Sequence, residues 1–196
     1  MRKIVVFETE RMMTMRYLLS VFLILAVSTS VFGATGSLVT YQVDGKSYEG
    51  YFINPAKQSS LILLIHDWDG LTDYEIKRAN MLSELGYTVF AAYLFGAGVR
   101  PIKVTDKRQH TGELYKDRAK MRALMNAALD TARKEGANVE NAVAFGYCFG
   151  GAAVLEWARS GVDLKGFATF HGGLQTPEGQ DYSQTKSPVL IMHGSA

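Results

Sequence analysis

Beyond residue 33 the chain alternates short β-type runs with longer stretches of helical periodicity. Residues 38–43 and 48–53 flank Asp44-Gly45-Lys46, which predicts a β-hairpin. Residues 61–65 (Leu-Ile-Leu-Leu-Ile) form an unbroken apolar run, the pattern of a strand buried on both faces. Residues 72–85 read as a helix: Thr72 caps it, Glu75 completes a capping box, and Gly86 stops it. Then follow a strand at 87–92, a loop at 96–110 and one long helix at 113–135 ended by Gly136. A strand at 142–146, a helix at 149–160 closed by Gly161, and strands at 166–171 and 188–193 complete the pattern, with a loop at 172–186. Strand and helix in this rhythm predict an α/β fold, a mostly parallel sheet covered by helices on both faces. In such sheets ligands sit beyond the carboxyl ends of the strands. No repeat, low-complexity tract or linker interrupts residues 34–196, which read as one domain.

The first 33 residues follow a different pattern. Arg16 precedes a stretch, 17–32, whose apolar character is broken only by Ser20, Ser28, Thr29 and Ser30. A basic start, a short apolar core and small residues at its end are the marks of a secretory leader, with a cut near Ala34 and translation starting at Met15. Its apolar core, 21–27, is shorter than the ~20 residues a membrane span needs. The expected location is therefore periplasmic or secreted, with membrane contact only through an uncleaved leader.

Composition narrows the function. The chain has 196 residues, 47% hydrophobic and 20% charged, which fits an ordinary globular protein. Its net charge of +2 comes from the leader, because 17 basic and 17 acidic residues remain beyond residue 33. That balance gives the body no electrostatic claim on nucleic acid. A single cysteine, Cys148, excludes an internal disulfide and any cysteine-cluster metal site.

That cysteine sits in Gly146-Tyr147-Cys148-Phe149-Gly150, between a predicted strand and a predicted helix. Gly-x-Cys-x-Gly in this setting is a nucleophile elbow with sulfur in place of a hydroxyl. The turn is tight and strained, and glycines two residues either side remove side chains that would collide where strand meets helix. The helix that follows points its positive end at the sulfur and favours the thiolate, and a backbone N–H there can stabilise an oxyanion. The alternative is a buried structural cysteine in a glycine-rich turn. The second candidate is Ile65-His66-Asp67-Trp68-Asp69-Gly70, at the end of the first buried strand. Asp67 would place a carboxylate near the thiol; alternatively it is a turn residue, although Asp69 or Thr72 fits helix capping better. His66, His171 and His193 each end a predicted strand and share the ligand-binding edge. They are open to three readings: bonding to loop backbone, a substitute base, or zinc ligation. No metal and no cofactor is expected. His110 reads as solvated in a loop, and Trp68, Tyr93 and Phe95 as pocket lining or core.

These pieces together resemble the dienelactone hydrolase family of α/β-hydrolases, with 65–71, 84–87, 94–96, 146–151 and His193-Gly194 in family order. The resemblance implies an α/β-hydrolase fold and hydrolysis of small-molecule esters or lactones, cyclic enol-lactones above all, by a Cys-Asp-His triad. It makes Cys148 the nucleophile and assigns the oxyanion hole to the backbone N–H groups of Phe149 and Trp68. Asp67 stands where the family has a glutamate touching the resting thiol, and is one methylene shorter. Arg100 and Arg108 would hold a substrate carboxylate, with Tyr93 nearby. Ala92-Tyr93 replaces a common Pro-Asp. The family's triad aspartate follows His-Gly and its histidine lies roughly thirty residues later, so the resemblance leaves both outside these 196 residues, with the last strand and helix. An ester or lactone hydrolase impaired in this form is the expectation, against a non-catalytic binding protein of the same fold. A thiol redox protein would lack a second cysteine to resolve its intermediate. Nothing in the pattern indicates an oligomeric state.

Overall fold

The computed structural model describes residues 34–194. The leader read in residues 1–33 lies outside the described residues. Among the described residues no helix is long and apolar enough to cross a membrane.

The elements run β1 (Ser37–Val43), β2 (Lys46–Ile53), β3 (Ser60–Ile65), α1 (Asp73–Glu84), β4 (Thr88–Tyr93), α2 (Val104–Lys116), α3 (Arg118–Lys134), β5 (Asn138–Tyr147), α4 (Phe149–Arg159), β6 (Gly166–Phe170) and β7 (Val189–Met192). The seven strands form one sheet in the order β1-β2-β4-β3-β5-β6-β7. The β1–β2 and β2–β4 pairs are antiparallel and the other four parallel. The hairpin turn has positive φ at both Asp44 and Gly45, the twist that matches two paired strands.

The apolar run at 61–65 is the central strand, and its side chains alternate between two cores. Leu61, Leu63 and Ile65 pack with Met121, Leu124, Met125 and Trp157 beneath α3 and α4. Ile62 and Leu64 pack with Ala79, Val89 and Ala91 beneath α1. Each such buried leucine or isoleucine contributes about 1.5–3 kcal/mol. Helix α1 begins as predicted: Tyr74 N–H donates to Thr72 Oγ1 (3.2 Å) and Thr72 N–H donates to Glu75 Oε2 (2.8 Å).

Two expectations are corrected. The stretch read as a loop at 96–110 and one helix at 113–135 contains two helices that break at Asp117 (φ −114°, ψ 77°). Asp117 Oδ1 accepts the Lys120 N–H (2.9 Å), so the aspartate leaves the first helix to cap the second. The strand read at 142–146 begins at Asn138, and the pairing with β3 shifts register between Ser60 and Leu61, so only its second half reads as regular. At the far edge β7 has the apolar sequence of a buried strand, yet Leu190 and Ile191 are 56% and 51% exposed.

Candidate active site

The carboxyl ends of β3, β5 and β6 meet at Cys148. Its backbone has φ 51° and ψ −111° between β5 and α4, a conformation that non-glycine residues rarely adopt. The turn is fixed by Cys148 N–H donating to Phe170 O (3.0 Å) and Ala152 N–H donating to Cys148 O (3.2 Å). Its two glycines are required by close approach. A Cβ on Gly146 would lie well inside 3.0 Å of the Gly150 backbone, and one on Gly150 would run into the carbonyls of Ile65 and His66. Cys148 itself is exposed. Phe149 is buried, and its N–H opens α4, where no intrahelical acceptor exists. Among the described residues the Trp68 N–H likewise has no protein acceptor.

The β3 wall of the site is built on His66, which the sequence placed on the open edge. The structure buries it completely. Its Nδ1–H donates to Asp67 O (2.5 Å) and its Nε2 accepts the Leu94 N–H (3.0 Å). Both nitrogens are spent on neighbouring backbone, and burial lowers its pKa to about 4, so the ring is neutral. Of the readings open for His66, bonding to loop backbone is the one realised. The Asp67 side chain accepts the Asp69 N–H (2.7 Å). Burial raises its pKa, the Asp69 N–H lowers it, the Asp69 charge raises it, and Lys107 and His171 lower it; the net shift is upward. Lys107 Nζ lies 2.5 Å from Asp69 Oδ1 and 5.5 Å from the centre of the Trp68 ring, an ion pair without hydrogen-bond alignment plus a cation–π contact. The sequence reading missed Lys107, because a lysine in an assumed loop gives no signal; one turn of helix aims it at the Trp68 loop.

Several expected substrate contacts are otherwise engaged. Tyr93 is fully buried, its hydroxyl donates to the Val99 carbonyl and its ring packs on His66 and Phe95, so it is core and not pocket lining. Arg100 pairs with Glu49 (2.6 Å), donates to Val99 O (2.9 Å) and lies over the Tyr93 ring (4.7 Å), which ties its guanidinium to the scaffold while the side chain stays partly exposed. Arg108 is exposed on α2 instead of in a loop. His110 is also on α2, stacked on Phe95 at 5.2 Å, and Phe95 in turn meets Phe149 at 5.6 Å. The expectation of a solvated His110 is therefore corrected: an aromatic column ties it to the elbow.

His171 follows β6 with φ 43°, exposed, its N–H donating to Met192 O (2.8 Å). His193 is exposed at the end of β7. With His66 inside, the three strand-end imidazoles do not converge. Among the described residues no group of three or more His, Cys, Asp or Glu side chains is placed to hold a metal ion. Neither Asp67 nor any histidine is hydrogen-bonded to the sulfur among the described residues.

The fold is matched by known proteins. The sequence profile of the dienelactone hydrolase family covers residues 48–196. The chain belongs to the dienelactone hydrolase family. Among solved structures, m3DLH is 32% identical with a TM-score of 0.77, over 83% of this chain and 69% of that one. The dienelactone hydrolase-like promiscuous phosphotriesterase P91 from metagenomic libraries is 30% identical, with the same TM-score and coverages. A cold-adapted esterase from an Arctic intertidal metagenomic library shares the α/β-hydrolase fold at 23% identity and a TM-score of 0.63, over 82% of this chain and 72% of that one. No curated protein matches the chain. Membership of the dienelactone hydrolase family and the seven-stranded sheet agree with the fold expected from the sequence.

Proposed function

We propose that this chain attacks carboxylic ester or lactone bonds with Cys148. The observation that carries the reading is the elbow: an exposed sulfur on a left-handed turn at the mouth of α4, next to the Phe149 N–H that opens the helix. The thiolate adds to the carbonyl carbon, and the carbonyl oxygen gathers negative charge toward Phe149 N–H and Trp68 N–H. Collapse expels the alkoxide or phenoxide and leaves a thioester on Cys148. Water then releases the acid and returns the thiol. The names of the two relatives at 30% identity or more, m3DLH and a dienelactone hydrolase-like enzyme, support a hydrolytic reading.

Thioester hydrolysis needs a water deprotonated in place, and a positioned base contributes ~10²–10⁴-fold. With no histidine bonded to the sulfur among the described residues, this chain is expected to acylate quickly and deacylate slowly. That same observation favours the second reading, a binding protein of this fold without turnover. A p-nitrophenyl acetate time course separates the two. A burst of about one equivalent with a slow steady state, lost in Cys148→Ala, supports the enzyme. Nitrophenol release unchanged by Cys148→Ala contradicts it.

A further inference from the structure

The groove between α3, α4 and the loop after β6 carries more positive charge than its architecture uses. Glu156 lies in the last turn of α4 and is fully buried. Its Oε2 accepts from Arg118 (2.9 Å) and Arg159 (3.0 Å), and its Oε1 from Arg122 (2.5 Å) and Gln180 (3.3 Å). Burial pushes this carboxyl up, but the arginine hydrogen bonds outweigh it and the net pKa is lowered, so it is ionised. Three guanidiniums share one carboxylate, and among the described residues none of the three is paired with another acid. Two positive charges are left over.

Holding the loop accounts for only one of the three. Arg159, nearly inaccessible, also donates to Gln180 Oε1 (3.0 Å) and to the Tyr182 hydroxyl (2.8 Å), pinning the loop to α4. Arg118 and Arg122 each give Glu156 one Nη1, and their side chains are 27% and 32% exposed. The rest of each planar fork has donors to spare. Arg118 faces a cavity of about 410 Å³ shared with Tyr115, Ala152, Arg159, Gly173 and Gln175. That cavity lies beside the elbow: the Tyr115 ring meets Phe149 edge-on at 5.5 Å and sits 5.7 Å from the Arg118 guanidinium. Burial, and then the Cys148 charge, push the Tyr115 phenol up, so its hydroxyl remains a donor at neutral pH. A guanidinium fork, a phenol and an amide around a cavity with two surplus charges form an oxyanion receptor.

We propose that this groove binds a divalent oxyanion of the phosphate class, held by Arg118 with Tyr115 and Gln175, in the field of Arg122 and Arg159. The binding is independent of turnover and stands or falls apart from the role of Cys148. The source is either free phosphate or a phosphate group on an organic ligand that extends toward the elbow.

The test is calorimetric titration of the full chain at pH 7.5 and constant ionic strength with inorganic phosphate, phenyl phosphate and acetate, with the phosphate-dependent rise in Tm as a second readout. Saturable 1:1 phosphate binding is expected, weakened about tenfold or more in Arg118→Gln, partly kept in Arg118→Lys, and at least about tenfold tighter than acetate. Phenyl phosphate binding tighter than phosphate identifies an organic ligand; equal affinity identifies free phosphate. Absence of saturable phosphate binding to the wild-type chain overturns the proposal. So does acetate binding as tightly as phosphate, or a folded Arg118→Gln that binds phosphate unchanged.

Discussion

Cys148 stands between two walls that do the same work by opposite means. On the β3 side, loop 66–70 is fixed by a neutral imidazole, a half-buried carboxyl and backbone hydrogen bonds. On the α4 side, the loop after β6 is fixed through Arg159 and Gln180 to one ionised carboxylate, Glu156, which Arg118 and Arg122 share. A neutral brace fails when it is forced to gain a charge; an ionic brace fails when it is forced to lose one. The walls should therefore differ in what breaks them, by mutation and by acid.

The largest stability effect is expected on the ionic side. Glu156→Gln leaves three guanidiniums around a neutral amide, and removing one partner of a buried charge network costs about 3–5 kcal/mol. Urea unfolding at pH 7 measures it; a loss under 1 kcal/mol would show that water already screens the cluster.

Acid separates the walls in sequence. His66 has its pKa lowered to about 4 from 6.5 by burial, so the unfolded chain takes up the proton first. Its contribution is complete above pH 6.5 and lost as pH falls toward 4, about 3 kcal/mol in all. Glu156 is also lowered, from 4.5, so its contribution persists above pH 4.5 and is lost only below it. Stability against pH should fall in two stages, and His66→Asn should remove the upper one. A wild-type curve flat from pH 6.5 to 4.5 would contradict the neutral-brace account.

Smaller effects sharpen the comparison at single contacts. Gly150→Ala sets a methyl against the carbonyls of Ile65 and His66, and overpacking of this kind costs about 1–3 kcal/mol. Lys107→Ala removes a partly exposed pair with Asp69, worth ~1 kcal/mol or less. Its effect on stability should be the smallest of the four, measured by the same urea series.

The two walls were not equally legible in the sequence. The elbow could be read because its constraints are local: Gly146 and Gly150 stand two residues from Cys148 and are required by backbone contact alone. The central strand could be read because a five-residue apolar run admits few other placements. Glu156 was missed because its partners Arg118 and Arg122 are 38 and 34 residues away. The one local sign was a charge inside the apolar stripe Ala152-Ala153-Val154-Leu155-Glu156-Trp157. Tyr93 was misplaced for the converse reason: a strand-end tyrosine looks the same whether its hydroxyl meets substrate or the carbonyl of Val99. Strand β7, expected from the sequence to be an apolar edge, does leave Leu190 and Ile191 exposed.

The central claim is that the sulfur between the walls is the group that reacts. Its most direct measurement is the mass of the chain, intact and after proteolysis, quenched within the burst of p-nitrophenyl acetate. The account predicts one acetyl group, located on the peptide carrying Cys148, removed by hydroxylamine and absent from Cys148→Ala. An unmodified Cys148 peptide during nitrophenol release, or an acetyl group on lysine or tyrosine alone, would contradict it.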